Sequence, residues 1–94
     1  MSMKRFSKEE AEEKYKGSTF SDYTFIDENL VVIGVGSTIG KKVYIFGPTM
    51  IGEKTVIGDN VKIKAGVTIG SSSIVRSGAR VKTNRKYLSE ADIS

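Results

Sequence analysis

An aliphatic residue returns at every sixth position along this chain, from Ile33 through Ile39, Ile45, Ile51, Ile57, Ile63, Ile69 and Val75 to Val81. Four residues after each of these up to Val75 stands a small side chain: Ser37, Val43, Thr49, Thr55, Val61, Val67, Ser73 and Ala79. Successive side chains of a strand point to opposite faces, so the small residue and the aliphatic two positions later share the inward face, and the residue between them points outward. Each six-residue unit is therefore one short strand and one turn, and it buries its inward face only by stacking on its neighbours. Gly34, Gly40, Gly52, Gly58 and Gly70 follow aliphatics directly, while Gly36, Asn60, Gly66 and Gly78 stand two positions further on. Both sets are expected to supply the positive-φ conformations of tight corners.

The frame extends upstream with one slip. Phe20, Thr24 and Ile26 keep the pattern, but Ile26 to Ile33 takes seven residues instead of six. The extra residue is placed in the turn Asp27, Glu28, Asn29, Leu30, which leaves Val31 and Ile33 inward and Val32 outward. The pattern predicts an all-β parallel helix of about three to four triangular coils over residues 20–83. Before it, residues 1–19 form a capping arm: Ser7 and Glu10 make a capping box ahead of a short α-helix that runs to Lys16 and stops at Gly17. After it, residues 84–94 lose the repeat and read as a tail that caps the last coil or reaches a neighbouring subunit.

The segments IGKKVY, IGEKTV, IGDNVK, IKAGVT and IGSSSI resemble the bacterial transferase hexapeptide repeat. That resemblance implies a left-handed parallel β-helix with three hexads per coil, usually assembled as a homotrimer. The left hand comes from the family alone, because parallel crossovers are otherwise right-handed. Acyltransferases of the family typically use a His as general base, suited by a pKa near neutrality, and related carbonic anhydrases bind zinc through His residues. The sequence contains no His and no Cys, so no position can receive those roles. The resemblance is therefore read as a statement of scaffold more than of catalysis.

Composition adds limits. The chain has 94 residues, enough for one small domain. Its longest apolar run, Leu30 to Ile33, is far too short to span a membrane. Lys4 and Arg5 precede no apolar stretch of the kind found in a secretory signal, so a cytoplasmic protein of a bacterium or of a phage-infected cell is expected. Net charge is only +4, so the distribution of charge matters more than its sum.

Outward residues eighteen apart stack into columns, one on each face of the prism. The first face carries Val32, Met50 and Thr68, and the second carries Thr19, Thr38, Val56 and Ile74. Apolar columns on adjacent faces are expected to form the homotrimer interface. The third face carries Phe25, Tyr44, Lys62 and Arg80, and the corner after it adds Asp27, Phe46, Lys64 and Lys82. The preceding corner brings Lys41, Lys42 and Arg76, diluted by Asp59. The candidate ligand-binding set is Tyr44, Phe46, Lys62, Lys64, Arg76, Arg80, Lys82 and Arg85. The cations would neutralise phosphates, and Tyr44 or Phe46 would stack a base or cover a sugar.

Three functions fit these residues. One is a non-catalytic trimer that sequesters a phosphorylated, nucleotide-like ligand, including a cyclic oligonucleotide, in basic grooves between protomers, as a phage-type sequestering protein would. This reading needs no metal or cofactor and no nucleic-acid polymer. The second is an acyltransferase-like protein that, by its resemblance, would hold coenzyme A in the same groove near Arg76, Arg80, Lys82, Arg85 and Lys86. The third is a structural or protein-interaction module. Weaker motifs recede: the glycines from Gly34 to Gly40 lie in the repeat frame, with no phosphate-loop Lys-Ser or Lys-Thr after them. Ser71, Ser72 and Ser73 are read as two turn residues and one inward residue, and Asp22, Asp27 and Glu28 match no metal loop.

Overall fold

The architecture is taken from a computed structural model that describes residues 3–27 and 29–94. Three sheets form the faces of a triangular solenoid of about four turns. The first face stacks β4 (Val31–Ile33), β7 (Thr49–Ile51), β10 (Val67–Ile69) and β13 (Lys86–Tyr87). On the second lie β2 (Thr19–Phe20), β5 (Thr38–Ile39), β8 (Val56–Ile57), β11 (Ile74–Val75) and β14 (Asp92–Ile93). The third holds β3 (Thr24–Asp27), β6 (Val43–Ile45), β9 (Lys62–Ile63) and β12 (Arg80–Val81), with β1 (Met3–Phe6) added antiparallel beside β3. All other pairings are parallel, an arrangement consistent with a left-handed β-helix.

Register follows the repeat. Ile33 lies opposite Ile51, and Ile51 opposite Ile69. Upstream the partners shift by one residue, Phe20 opposite Ile39 and Ile26 opposite Ile45, so the extra residue lies between β3 and β4 as the sequence frame requires. Glu28, assigned to that turn, lies outside the described residues. Every sixth-position aliphatic from Ile33 to Val81 is buried, and so is each of the small inward residues from Ser37 to Ala79. Inward hydroxyls of the repeat other than that of Thr24 use backbone carbonyls as partners: Ser37 Oγ donates to Gly52 O (3.1 Å), Thr55 Oγ1 to Gly70 O (3.3 Å) and Ser73 Oγ to Gly70 O (2.8 Å). A buried hydroxyl without such a bond would cost about 1–3 kcal/mol; Ser37 and Thr55 bond across to the next coil while filling the core, and Ser73 bonds within its own corner.

The corners correct one expectation. Positive φ recurs at Gly36, Lys42, Lys54, Asn60, Gly66, Ser72, Gly78, Asn84 and Glu90, three positions after each sixth-position residue from Ile33 to Tyr87 except Ile45, whose corner holds Pro48 instead. The glycines that follow the aliphatics directly do not adopt it. They are required by close approach: a Cβ on Gly34 would lie 2.5 Å from Glu53 N, and one on Gly52 would lie 2.5 Å from Ser71 N. Stacked strands stand about 4.8 Å apart, so the turn above leaves no room for a side chain at this corner.

Both ends differ from the sequence reading. The capping box is present: Glu10 N donates to Ser7 Oγ (3.1 Å), and Ser7 N donates to Glu10 Oε1 (2.9 Å). The helix α1 spans Lys8–Lys14, and Gly17 takes φ +90 in the turn beyond it. Glu12 accepts from Lys8 Nζ (2.6 Å) and from Phe20 N (2.9 Å), which ties the helix to the first coil. These bonds hold the Glu12 carboxyl below the ordinary carboxylate range, the Lys8 bond foremost, and the Ser7 backbone does the same for Glu10. Phe6, Ala11 and Tyr15 are buried over that coil, and Tyr15 Oη donates to Val31 O (3.2 Å). The strand β1 was not foreseen. It pairs Met3 with Asp27, and Asp27 is only 4% exposed instead of facing outward at a corner.

At the other end, residues 84–94 do not leave the repeat. Tyr87 lies opposite Ile69 and Ile93 opposite Val75, so the hexad continues to the last residues. Arg85 hides this in the sequence, because it stands where the other hexads place a small inward residue. On the last coil that position has no turn above it, and Arg85 is exposed.

Candidate functional site

The third face concentrates aromatic and basic side chains because its outward positions are in register. Phe25 lies opposite Tyr44, Tyr44 opposite Lys62, and Lys62 opposite Arg80. The Phe25 and Tyr44 rings stack with centroids 4.6 Å apart and planes 3° from parallel. Lys62 Nζ lies 5.5 Å from the centre of the Tyr44 ring. Below them, Tyr23 meets Phe25 edge-on at 5.6 Å, and Arg5 on β1 places its guanidinium 4.5 Å from the centre of the Tyr23 ring. Cations over aromatic faces are mutually stabilising by about 0.5–1 kcal/mol at exposed sites.

A cavity of about 280 Å³ opens between this face and the corner that precedes it, lined by Tyr23, Lys42, Tyr44, Asn60, Lys62 and Arg80. Lys42 and Asn60 reach it because they occupy the left-handed corner position, φ 57 and 58, on successive coils. Arg80 is anchored at the same corner: its Nη1 donates to Asn60 O (2.9 Å) and Gly78 O (3.0 Å). The lining holds three cations and two phenols and no carboxylate. The two acids next to lining residues in sequence both accept from backbone amides, Asp59 Oδ1 from Lys41 N (2.9 Å) and Asp22 Oδ1 from Tyr23 N (2.8 Å). Like charges opposite one another on paired strands destabilise a sheet by roughly 0.2–1 kcal/mol. Lys62 and Arg80 are such a pair, and an anion bound between them would relieve the repulsion.

The sequence-derived candidates divide into groups. Tyr44, Lys62 and Arg80 come together in the cavity, and the structure adds Tyr23, Lys42 and Asn60. Phe46 and Lys64 stack on the following corner, Lys64 Nζ 4.9 Å from the Phe46 ring centre, and Lys82 continues that corner one coil on; none of them lines the cavity. Arg76 belongs to the second face, where Nε and Nη2 form a two-pronged pair with Asp92 Oδ1 and Oδ2 (2.8 and 2.7 Å). That pairing raises the Arg76 pKa and holds Asp92 below the ordinary carboxylate range. Arg85 lies on the last coil, away from the cavity. Lys42 and Asn60 were legible as corner residues eighteen apart, the same spacing that defines the strand columns.

The remaining motifs settle as structural. Ser71 Oγ accepts from Glu53 N (3.1 Å), Ser72 takes a left-handed corner and Ser73 is buried. Among the described residues no group of acidic side chains is arranged to hold a metal ion, and no helix is long and apolar enough to cross a membrane. No curated protein and no solved structure matches the chain at a significant level. A family model does: residues 48–83 match the bacterial transferase hexapeptide, described as six repeats. The matched segment runs from the end of one corner through the stacked strands β7 to β12, and the same register continues on either side of it. Residues 48–83 thus carry the bacterial transferase hexapeptide repeat.

Proposed function

We propose that this chain is a non-catalytic, homotrimeric binding protein that holds a phosphorylated small molecule at its third face. The observation that carries the reading is the cavity lined by Lys42, Lys62 and Arg80 with Tyr23, Tyr44 and Asn60, a donor-rich hollow with no acid in its wall. Charge-assisted hydrogen bonds from Lys and Arg to phosphate oxygens are roughly twice as strong as neutral ones, and several converging cations multiply that preference. The site is built within a single chain, so a groove between protomers is not needed to complete it. The wall carries no His, Cys or carboxylate, the side chains that most often move protons in acid–base turnover, which favours holding a ligand over converting it.

The trimer is supported by side chains that a lone prism leaves in water. Val32, Met50, Val56 and Ile74 are 55, 57, 46 and 45% exposed, and Val35, 54% exposed, sits on the corner that the first and second faces share. Packing that corner against a threefold axis buries these groups and leaves the third face pointing away from it. The reading places the protein in the cytoplasm, where phosphorylated metabolites are available. The matched transferase repeat favours a second reading, an acyl-CoA-dependent acyltransferase.

A thermal-shift panel separates the two. Inorganic pyrophosphate, sugar phosphates and nucleotides at about a hundred times their dissociation constants should stabilise the fold by about 2.7 kcal/mol, a rise of roughly 10 °C or more for a domain of this size. No product should form with acyl-CoA and any acceptor. Failure of every phosphorylated compound to shift the transition would remove the binding reading, and acyl-CoA turnover would replace it with the second.

A further inference from the structure

We infer that the third-face cavity recognises its ligand through a compact tetrahedral oxyanion alone and leaves any nucleobase unread, so that its ligand class is the small phosphate ester or diphosphate. The inference rests on the binding function proposed above and narrows it. Its basis is the state of the aromatic rings. Phe25 and Lys62 flank Tyr44 on the neighbouring strands, the ring stacked at 4.6 Å on one side and the ammonium at 5.5 Å on the other. Tyr23 carries the Arg5 guanidinium at 4.5 Å and the Phe25 ring at 5.6 Å. Phe46, outside the cavity, is covered by Lys64 at 4.9 Å.

A base binds by stacking only on a free ring face. Tyr44 carries a ring against one face and a cation against the other, and Tyr23 and Phe46 each carry a cation over one face, so a base stacking on Tyr44 would have to displace a contact the protein makes with itself. The residues that line the cavity carry hydrogen-bond donors instead: the phenols of Tyr23 and Tyr44, the ammonium groups of Lys42 and Lys62, the Asn60 amide and the Arg80 guanidinium. The bonds that fix Arg80 go through Nη1 alone, leaving Nε and Nη2 to donate to a ligand. Anchoring the guanidinium beforehand lowers the ordering cost of binding. These donors match the several acceptor oxygens and multiple charge of a phosphate group. A cavity of about 280 Å³ is at the small end for ligand sites, which suits such a group and little beyond it.

The test is calorimetry at fixed low ionic strength with pyrophosphate, adenosine diphosphate, ribose 5-phosphate, adenosine monophosphate and adenosine. Adenosine diphosphate should bind within about threefold of pyrophosphate, and the monophosphate within about threefold of ribose 5-phosphate, because the added base makes no stacked contact. Adenosine should not bind. Lys62→Gln, a change at an exposed side chain, should weaken every phosphorylated compound by about tenfold or more. Binding of adenosine, or a nucleotide preference above about tenfold over the matching phosphate, would overturn this inference while leaving the binding function standing. Failure of pyrophosphate and of every phosphate ester to bind would overturn both.

Discussion

Gly52→Ala is expected to cost this protein about 3 kcal/mol, a large part of the roughly 5–15 kcal/mol by which a small domain is stable. The added Cβ would lie 2.5 Å from Ser71 N, 2.7 Å from Gly70 C and 2.8 Å from Ser71 Cα. All three are backbone atoms of the next coil, so no side chain can rotate away, and relief requires moving β10 and β11 off β7 and β8. Gly78 provides the contrast. Its φ is +80 and no atom lies within 4 Å of a built Cβ, so the demand there is conformational only. Gly78→Asn should be nearly neutral, because Asn60 and Asn84 already occupy equivalent left-handed corners. Urea unfolding of the two variants checks both statements. A Gly52→Ala midpoint equal to wild type would mean the coils are spaced more loosely than described.

Lysine at Val56 and at Ile74 together is expected to reduce the assembly from three chains of 10.3 kDa to one, read by light scattering. The two residues are neighbours across β8 and β11, in register and half exposed in the single chain. If they meet a second protomer, the substitution buries two unpaired ammonium groups, and breaking a buried contact in this way costs about 3–5 kcal/mol. Because both side chains point outward, the fold itself should tolerate the change. A double variant that keeps the mass of three chains and its unfolding midpoint would move the interface to another face. A wild-type chain that is already monomeric at micromolar concentration would dismiss the trimer.

Much of the fold was legible because a six-residue period leaves few alternatives: a small inward residue at Val61 and an inward aliphatic at Ile63 fix both the strand and its face. Even the slip before Val31 could be placed, since only the turn between Ile26 and Val31 could absorb a residue without inverting a strand. The parts that were not legible lie where stacking ends. Arg85 broke the inward pattern, although Tyr87 and Ile93 keep the phase, because the last turn does not enclose that position. The strand β1 offers only Phe6 as an inward apolar group, too little for periodicity to register, and its pairing with β3 buries Asp27. The columns on each face followed from counting by eighteen. The cavity did not, because it joins a strand column, Tyr44, Lys62 and Arg80, to a corner column, Lys42 and Asn60, and that junction depends on how far each side chain reaches around the edge of the prism. The surroundings of Tyr44 were hidden for the same reason: its neighbours in the column, Phe25 and Lys62, follow from the count by eighteen, but not that they pack against its ring.

The measurement that bears most directly on the third face as a phosphate site is a titration of inorganic pyrophosphate into isotopically labelled protein, followed through backbone amide resonances. Saturable shifts are expected at Lys42, Tyr44, Asn60, Lys62 and Arg80, with Arg76, Arg85 and the first-face strands unmoved. Saturable shifts centred on Arg76 or Arg85, or none at the third face, would contradict the account.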